Sequence, residues 1–222
     1  RYDLCAEYVT VMQELWASGR SNFKGDFYQM DDCRCLPLPT ARLPIICAAQ
    51  SDAGTQFAAR YADWNFCSSG GVNTPTVVAP SVARLVKATE ATGRRCGALI
   101  NIMIIADETD EAAMAKWTLY KEGTDQEAIA WREAQSKDDP TRDPFAGPNK
   151  RRTLGSDRQP TQGGVLVGSY ASCARMLDEL AAVPGVEGIM LTFDEFVSGI
   201  DNFGTRIQPL MRCRQDVVSQ AA

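Results

Sequence analysis

The chain has 222 residues, enough to bury a full hydrophobic core in one domain or two. Its net charge of −5 is opposite to the local excess of Lys and Arg that a nucleic-acid surface needs. It contains no histidine, which excludes Ser-His-Asp and Cys-His nucleophilic sites and His-ligated zinc within this chain. Redox chemistry would most easily come from a bound organic cofactor, and we predict no metal site.

The compartment is predicted from what the chain lacks. No apolar run approaches the roughly 20 residues that cross a bilayer, and the first residues show no signal-peptide pattern. The eight cysteines form no CxxC motif, and we interpret the one close pair, Cys33 and Cys35, as a chance pair. A cytoplasmic protein with reduced thiols is predicted, without nucleic-acid or membrane partners. The basic residues 150–152 are interpreted as solvated.

The chain opens on an apolar stripe at helical spacing. This stripe predicts an amphipathic helix from residue 1 to about residue 18, ended by Gly19. Residues 23–28 follow as a candidate short hairpin, and Pro37 and Pro39 exclude a central strand next to it. Because a strand should precede such a helix in an α/β protein, we expect the domain to be incomplete at its N-terminus.

The next stretch joins a strand directly to a helix. Residues 45–49 form a β-branched apolar run typical of a buried strand. Ser51 is a suitable N-cap, Asp52 suits the positive end of the helix dipole, and Gly54 keeps the first turn open. The free amides at the start of this helix (51–62) either belong to an ordinary cap or form a site for a phosphate or other anion.

The rest of the chain continues the alternation of strands and helices. Strands are predicted at 64–67, 98–106 and 188–193, and helices at 76–92, 110–135, 165–183 with Ser169 as cap, and 200–214. Residues 136–164 carry many charges and four prolines with almost no apolar periodicity. We predict a long polar insertion there.

This alternation predicts a parallel α/β sheet, either doubly wound or half of a (β/α)₈ barrel. In both folds ligands bind at the carboxyl ends of the strands. Residues 50–51, 68–71 and 194–195 all follow predicted strands and should lie at that edge. No GxGxxG or P-loop sequence follows a strand, which excludes those dinucleotide-binding and NTPase motifs.

Many short runs, in one order along the chain, resemble the bacterial luciferase-like flavin monooxygenases, and among them the pyrimidine monooxygenases. Arg1-Tyr2 begins the first helix, and Phe23-Lys-Gly-Asp-Phe-Tyr28 follows it. The further runs are 50–54, 71–75, 105–110, 166–172, 174–179, 191–194 and 206–211. The resemblance covers nearly the whole chain outside 136–164 and the last few residues.

The resemblance implies a TIM-type (β/α)₈ barrel that carries FMN at its C-terminal mouth. Residues 1–222 would be the C-terminal part of that single barrel domain. Arg1, Tyr2 and Ser51 match positions that hold FMN in the family. Ser51 would offer its hydroxyl and a helix amide to the phosphate, Arg1 a charge-assisted bond, and Tyr2 a phenolic donor.

The resemblance also implies an activity. FMN, reduced by NADH through a separate flavin reductase, would react with molecular oxygen. The resulting flavin peroxide would open uracil or thymine between N3 and C4 to give ureidoacrylate by way of its peracid. Catalytic residues stay unassigned, because Asp194 and Glu195 are either a barrel-mouth catalytic pair or solvated, helix-capping acids.

Two alternatives stay open. A member of the same family could oxidise another substrate, such as an alkanesulfonate or a dibenzothiophene-like compound. A half-barrel could instead bind nothing alone and act only in assembly, since its exposed sheet edges favour self-association into a homo-oligomer. FMN binding separates the last hypothesis from the others.

Overall fold

A computed structural model describes residues 1–137 and 163–216 of the chain. Its helices are α1 (Tyr2–Ser18), α2 (Asp52–Tyr61), α3 (Ala79–Thr92), α4 (Asp110–Glu122), α5 (Gln126–Lys137), α6 (Tyr170–Ala181) and α7 (Phe196–Asn202). Its strands are β1 (Arg20–Ser21), β2 (Cys33–Arg34), β3 (Ile46–Cys47), β4 (Trp64–Cys67), β5 (Gly97–Asp107), β6 (Gly164–Ser169) and β7 (Val186–Phe193). A 3₁₀ turn (Pro75–Val78) precedes α3, and a π-helical turn (Phe203–Ile207) follows α7.

The main sheet is parallel and is organised around β5. β3 pairs with β4, and β4 pairs with the first residues of β5. β7 pairs with β5 over Ala98–Ile104, so it occupies the opposite edge of that strand. β6 pairs with Ile102–Asp107, further along the edge that β4 occupies. The predicted parallel α/β sheet is therefore confirmed.

The core lies on both faces of the sheet. On one face, alternate residues of β5 from Ala98 to Ile104 pack against buried side chains of α3 and α6. On the other face, Ile105 packs against Val165 and Val167 of β6 and against Trp117 of α4. Since side chains alternate along a strand, the long β5 serves both clusters at once.

Two helix boundaries lie where local sequence signals predict them. α1 ends where Gly19 adopts a left-handed conformation at φ 73° and donates its N–H to Leu15 O at 2.8 Å. α6 begins at Ser169, whose hydroxyl accepts the N–H of Ser172. Residues 23–28 form a tight reversal closed by a bridge between Lys24 and Gln29. These three predictions are confirmed.

Other boundaries are corrected. Residues 164–169 are not the start of a helix but the strand β6, whose first five residues are buried beside β5. The helix predicted at 110–135 is two helices, because Gly123 ends α4 and the Asp125 carboxylate accepts the Ala128 N–H at the start of α5.

The closing helix predicted at 200–214 begins earlier and ends sooner. Regular α-helix covers only Phe196–Asn202, and a π turn and short 3₁₀ turns follow it. Pro209 has no N–H and cannot continue an α-helical ladder. The polar insertion predicted at 136–164 lies almost entirely outside the described residues. None of the helices within 1–137 and 163–216 is long and apolar enough to span a membrane.

The carboxylate of Asp110 joins the starts of two helices. It accepts the Ser169 N–H at 2.6 Å and the Ser172 hydroxyl at 3.1 Å. The hydrogen bond from the Ser169 N–H, followed by those from the hydroxyls of Ser169 and Ser172, favours the ionised carboxylate. The pKa of Asp110 therefore lies below its ordinary value. A carboxyl whose pKa falls on folding stabilises the fold above its unfolded pKa. That stabilisation is lost as the pH falls through the folded pKa.

We therefore expect Asp110→Asn to lower the urea midpoint at neutral pH, with a difference from wild type that shrinks as the pH falls toward about 3. Urea unfolding followed by circular dichroism at several pH values measures this. The matched control is Glu111→Gln, which removes a carboxylate from the same helical turn. A difference between wild type and the Asp110→Asn variant that is constant from neutral pH to about pH 3 would contradict the role assigned to Asp110.

Candidate functional site

The turn between β3 and α2 ends on exposed helix amides. Ser51 has an extended backbone, and its hydroxyl accepts the Gly54 N–H at 3.2 Å. Its carbonyl accepts the Thr55 N–H at 2.8 Å, which is the first hydrogen bond of the helical ladder. The N–H groups of Asp52 and Ala53 therefore precede any intrahelical acceptor and face outward at the positive end of the helix dipole.

The start of α1 lies against this turn. The Tyr2 hydroxyl is 3.2 Å from Ser51 Oγ, although 49 positions separate the two residues. Arg1 donates from Nη2 to the Tyr2 hydroxyl at 3.0 Å, and its guanidinium lies 4.9 Å from the centre of the Tyr2 ring. The Tyr2 ring packs against Phe57 of α2, with centroids 5.5 Å apart. The three side chains predicted to contact a flavin thus form one cluster.

The hydrogen bonds of this cluster leave one hydroxyl hydrogen to donate. Arg1 and the Gly54 N–H are donors only, so the oxygens of Tyr2 and Ser51 accept from them. The bond between those two oxygens uses one of their two hydrogens, whichever group donates. The other hydrogen can meet an incoming acceptor beside the α2 amides.

Gly54 allows this close approach of α1 and α2. A Cβ at position 54 would overlap the Tyr2 hydroxyl and lie 2.8 Å from the Cβ of Ala49. Real Cβ atoms are essentially never that close to another heavy atom. The absence of a side chain at Gly54 is therefore a condition for the contact between Tyr2 and Ser51.

The end of β4 holds the same turn from the other side. The amide of the buried Asn65 pairs with both backbone groups of Ala49, at 3.0 Å each. Gln50 donates from Nε2 to the Phe66 carbonyl at 2.7 Å and accepts the Ser68 hydroxyl. Side-chain amides thus fix the backbone that presents Ser51.

Arg84 of α3 places a further cation at this turn. Its Nη2 donates to the Gln50 carbonyl at 2.8 Å, and its Nη1 lies 3.3 Å from Asp52 Oδ1. Arg84 neighbours the buried stripe of Val82 and Leu85 in the sequence, which marks it only as a flanking residue. No sequence signal links it to Ser51, because the contact arises from the packing of α2 on α3.

Two other helices in the described part of the chain also begin after a strand with a Ser or Thr cap. At α6 the Asp110 carboxylate already bonds to the Ser169 amide and hydroxyl, so an anionic group fills that position. At α4 the cap is Thr109, and the first turn carries Asp110 and Glu111. Of these three turns, the start of α2 is therefore the one best suited to receive an external anion.

The loop 68–71, which was expected near a ligand, is used to hold β6. The buried Ser69 donates to the Asn101 carbonyl at 2.6 Å and accepts the Gly164 N–H at 3.0 Å. Asn73, just beyond the loop, exchanges two hydrogen bonds with the backbone of Val167. The geometry of the loop 68–71 therefore supports a structural role, which is to hold β6 in the sheet.

Asp194 lines a separate cavity of about 100 Å³ between α4 and α7. The Tyr120 hydroxyl donates to its Oδ2 at 2.9 Å. Burial, and then this hydrogen bond, raises the pKa of Tyr120. Lys116, on the same wall, pairs with Asp107 at 2.7 Å, which raises the pKa of Lys116. Asp194 therefore ties α4 to the end of β7, and neither it nor Glu195 acquires a catalytic assignment.

The buried thiols Cys67 and Cys173 are kept protonated and unreactive. All eight cysteines are free, and burial raises the pKa of Cys173 to about 12 and of Cys67 to about 11. A thiol at such a pKa is almost wholly protonated at neutral pH and is a poor nucleophile. Within residues 1–137 and 163–216 no three acidic or sulfur side chains are grouped as metal ligands would be.

Comparison with known proteins covers most of the chain. The sequence model of the family described as luciferase-like monooxygenase matches residues 1–187. The curated pyrimidine monooxygenase RutA of Escherichia coli O81 (strain ED1a) is 56% identical over 219 residues, covering 96% of this chain and 56% of that protein. The protein of that name from Escherichia coli O127:H6 (strain E2348/69 / EPEC) is 56% identical, with 96% and 59% covered. The chain spans a little over half the length of these relatives.

Solved structures share the fold at lower identity. DmoA from Hyphomicrobium sulfonivorans has a TM-score of 0.74 and 23% identity, with 97% of this chain and 56% of that chain covered. Riboflavin lyase RcaE, solved with a modified FMN and its substrate riboflavin, has a TM-score of 0.75 and 17% identity, with 96% and 57% covered. At such identities the likeness concerns the fold and not the reaction.

Proposed function

The chain belongs to the luciferase-like monooxygenase family, and we propose that it forms the FMN-binding C-terminal part of a pyrimidine monooxygenase barrel. The observation that carries the proposal is the cluster of Arg1, Tyr2 and Ser51 at the start of α2. The family resemblance implies each of these residues as a flavin contact, and the fold brings Ser51, 49 positions away in the chain, against the Arg1-Tyr2 pair. Their convergence on exposed helix amides supports a phosphate site there.

The groups at the start of α2 fit a phosphate chemically. Ser51 or Tyr2 has one hydroxyl hydrogen to donate, and the amides of Asp52 and Ala53 at the start of α2 have no intrahelical acceptor. Arg1 adds a positive charge that is exposed to solvent. In this proposal these groups bind the FMN phosphate, and the ring packing of Tyr2 on Phe57 keeps the phenol in place.

Bound FMN, once reduced, would supply the activation of molecular oxygen, which suits a chain without histidine. The electrons would come from NADH through a separate flavin reductase. The proposed substrate is uracil or thymine, opened between N3 and C4 to ureidoacrylate. Support for this substrate comes from the 56% identity to proteins named pyrimidine monooxygenase.

Two measurements on the intact protein test the proposal. Quenching of flavin fluorescence reports FMN binding, and no quenching at saturating protein would favour the hypothesis that the chain acts only in assembly. Uracil-dependent oxygen uptake, measured with FMN, NADH and a flavin reductase, tests the substrate. Uptake with an alkanesulfonate or a dibenzothiophene-like compound but not with uracil would favour the alternative substrates.

We expect Ser51→Ala to weaken FMN binding by about 1–3 kcal/mol, the range for a hydrogen bond to a charged group. The substitution also removes a helix cap, so Ser169→Ala is the matched control: it removes the same kind of cap from α6. Equilibrium fluorescence titration gives both dissociation constants. A Ser51→Ala protein that binds FMN no more weakly than the Ser169→Ala protein would rule out the phosphate role of Ser51.

A further inference from the structure

Arg84 lies at the start of α2 but does not belong to the predicted cluster. Its guanidinium contacts two neighbouring residues, the carbonyl of Gln50 and the carboxylate of Asp52. These residues flank Ser51 on either side in the sequence. Arg84 therefore places a positive charge beside the residue proposed to bind the flavin phosphate.

The partner of Arg84 explains why such a charge is needed. Asp52 is the first residue of α2, and its carboxylate stabilises the helix through the dipole. The same carboxylate would repel a phosphate dianion that approaches the neighbouring amides. The Asp52 side chain is 88% exposed, and its carboxylate lies 3.3 Å from Nη1 of Arg84.

We propose that Arg84 determines the preference of this site for a phosphorylated flavin by offsetting the charge of Asp52. The inference rests on the proposed FMN function. Arg84 acts through Asp52 and is a positioning residue. The hydrogen bond that Arg84 donates to the Gln50 carbonyl keeps the guanidinium on the Ser51 side of α3. The helix then keeps its favourable acidic first residue, while the amide-rich tip stays attractive to a phosphate.

The preference is measured as the ratio of the dissociation constants for riboflavin and FMN, which differ only in the phosphate. For the intact protein, Arg84→Gln should weaken the binding of FMN about tenfold, as expected for the loss of a charge interaction of about 1.4 kcal/mol. The same substitution should weaken the binding of riboflavin less than about twofold. Arg84→Lys, which keeps the charge, should stay within about threefold of wild type for FMN. Arg175→Gln, which breaks a surface ion pair with Glu179 on α6, is the matched control.

The double variant Arg84→Gln/Asp52→Asn separates the electrostatic role from a structural one. With no carboxylate to offset, the loss of FMN affinity caused by Arg84→Gln should shrink to about threefold relative to Asp52→Asn. An unchanged tenfold loss would overturn the inference. Equal weakening of FMN and riboflavin binding would also overturn the inference, because Arg84 would then only stabilise the backbone of the turn at Gln50.

The same titrations distinguish a wrong role for Arg84 from the absence of the proposed phosphate site. If wild type binds riboflavin as tightly as FMN, the phosphate site itself is absent. If wild type prefers FMN and Arg84→Gln keeps the whole preference, only the role of Arg84 is wrong. Circular dichroism and urea midpoints of each variant show that the comparison is made between folded proteins.

Discussion

Replacing Leu177 by alanine is expected to lower the free energy of unfolding by about 3 kcal/mol, within the range for leucine truncation in a tight core. Leu177 is fully buried on α6, in the cluster that joins α3, α6 and one face of β5. The substitution removes buried methyl groups and leaves a cavity that the surrounding strand and helices can fill only partly. Urea unfolding followed by circular dichroism measures the loss.

The matched control is Leu119→Ala on α4, whose side chain is 66% exposed. Because little apolar area is buried there, we expect a change within about 0.5 kcal/mol. For a protein of this length, the loss at Leu177 also corresponds to a decrease in Tm of roughly 6–12 °C. Equal effects at the two positions would mean that α6 does not pack on β5 as described.

The strands β4 and β5 could be predicted closely from the sequence, whereas the buried strand predicted at 45–49 is only the two-residue β3, in which Ile46 is 51% exposed. The apolar runs at 64–67 and 98–106 match β4 and β5 within one residue at either end. A parallel strand between helices must be apolar at nearly every position, and its length then marks it as a strand. The same rule explains why a parallel sheet could be predicted from the sequence.

β6 could not be separated from the helix that follows it. Residues 164–169 run straight into α6 with no intervening loop, so apolar spacing merges the two elements. What makes these residues a strand is pairing with the far half of β5, a contact between segments about sixty residues apart. Propensity is a weak guide when tertiary pairing decides the local conformation.

The site was predicted only in part for the same reason. Ser51 carries a local signal, since a serine between an apolar run and a helical stripe marks an N-cap. Arg1 and Tyr2 carry no such signal, and only the family resemblance identified them. Arg84 was missed because 34 positions separate it from Gln50, and packing of α2 on α3 brings them together.

A larger loss of FMN affinity is expected from Gly54→Val than from any single polar substitution in the cluster. The new Cβ would overlap the Tyr2 hydroxyl and lie 2.8 Å from the Ala49 Cβ, and the two γ-methyl groups need further space. Tyr2 must move away from Ser51, and Arg1 loses its acceptor with it. Losing two charge-assisted contacts predicts a decrease in FMN affinity of about 3–6 kcal/mol.

Gly204→Val is the matched control, because no atom lies within 4 Å of a Cβ built at that position. Overpacking at Gly54 should also cost about 1–3 kcal/mol of stability, which urea unfolding measures independently. Because the fold should tolerate that cost, FMN titration of the folded protein isolates the effect on the site. A Gly54→Val protein that is folded and binds FMN as wild type does would show that contact between Tyr2 and Ser51 is not needed to hold the flavin.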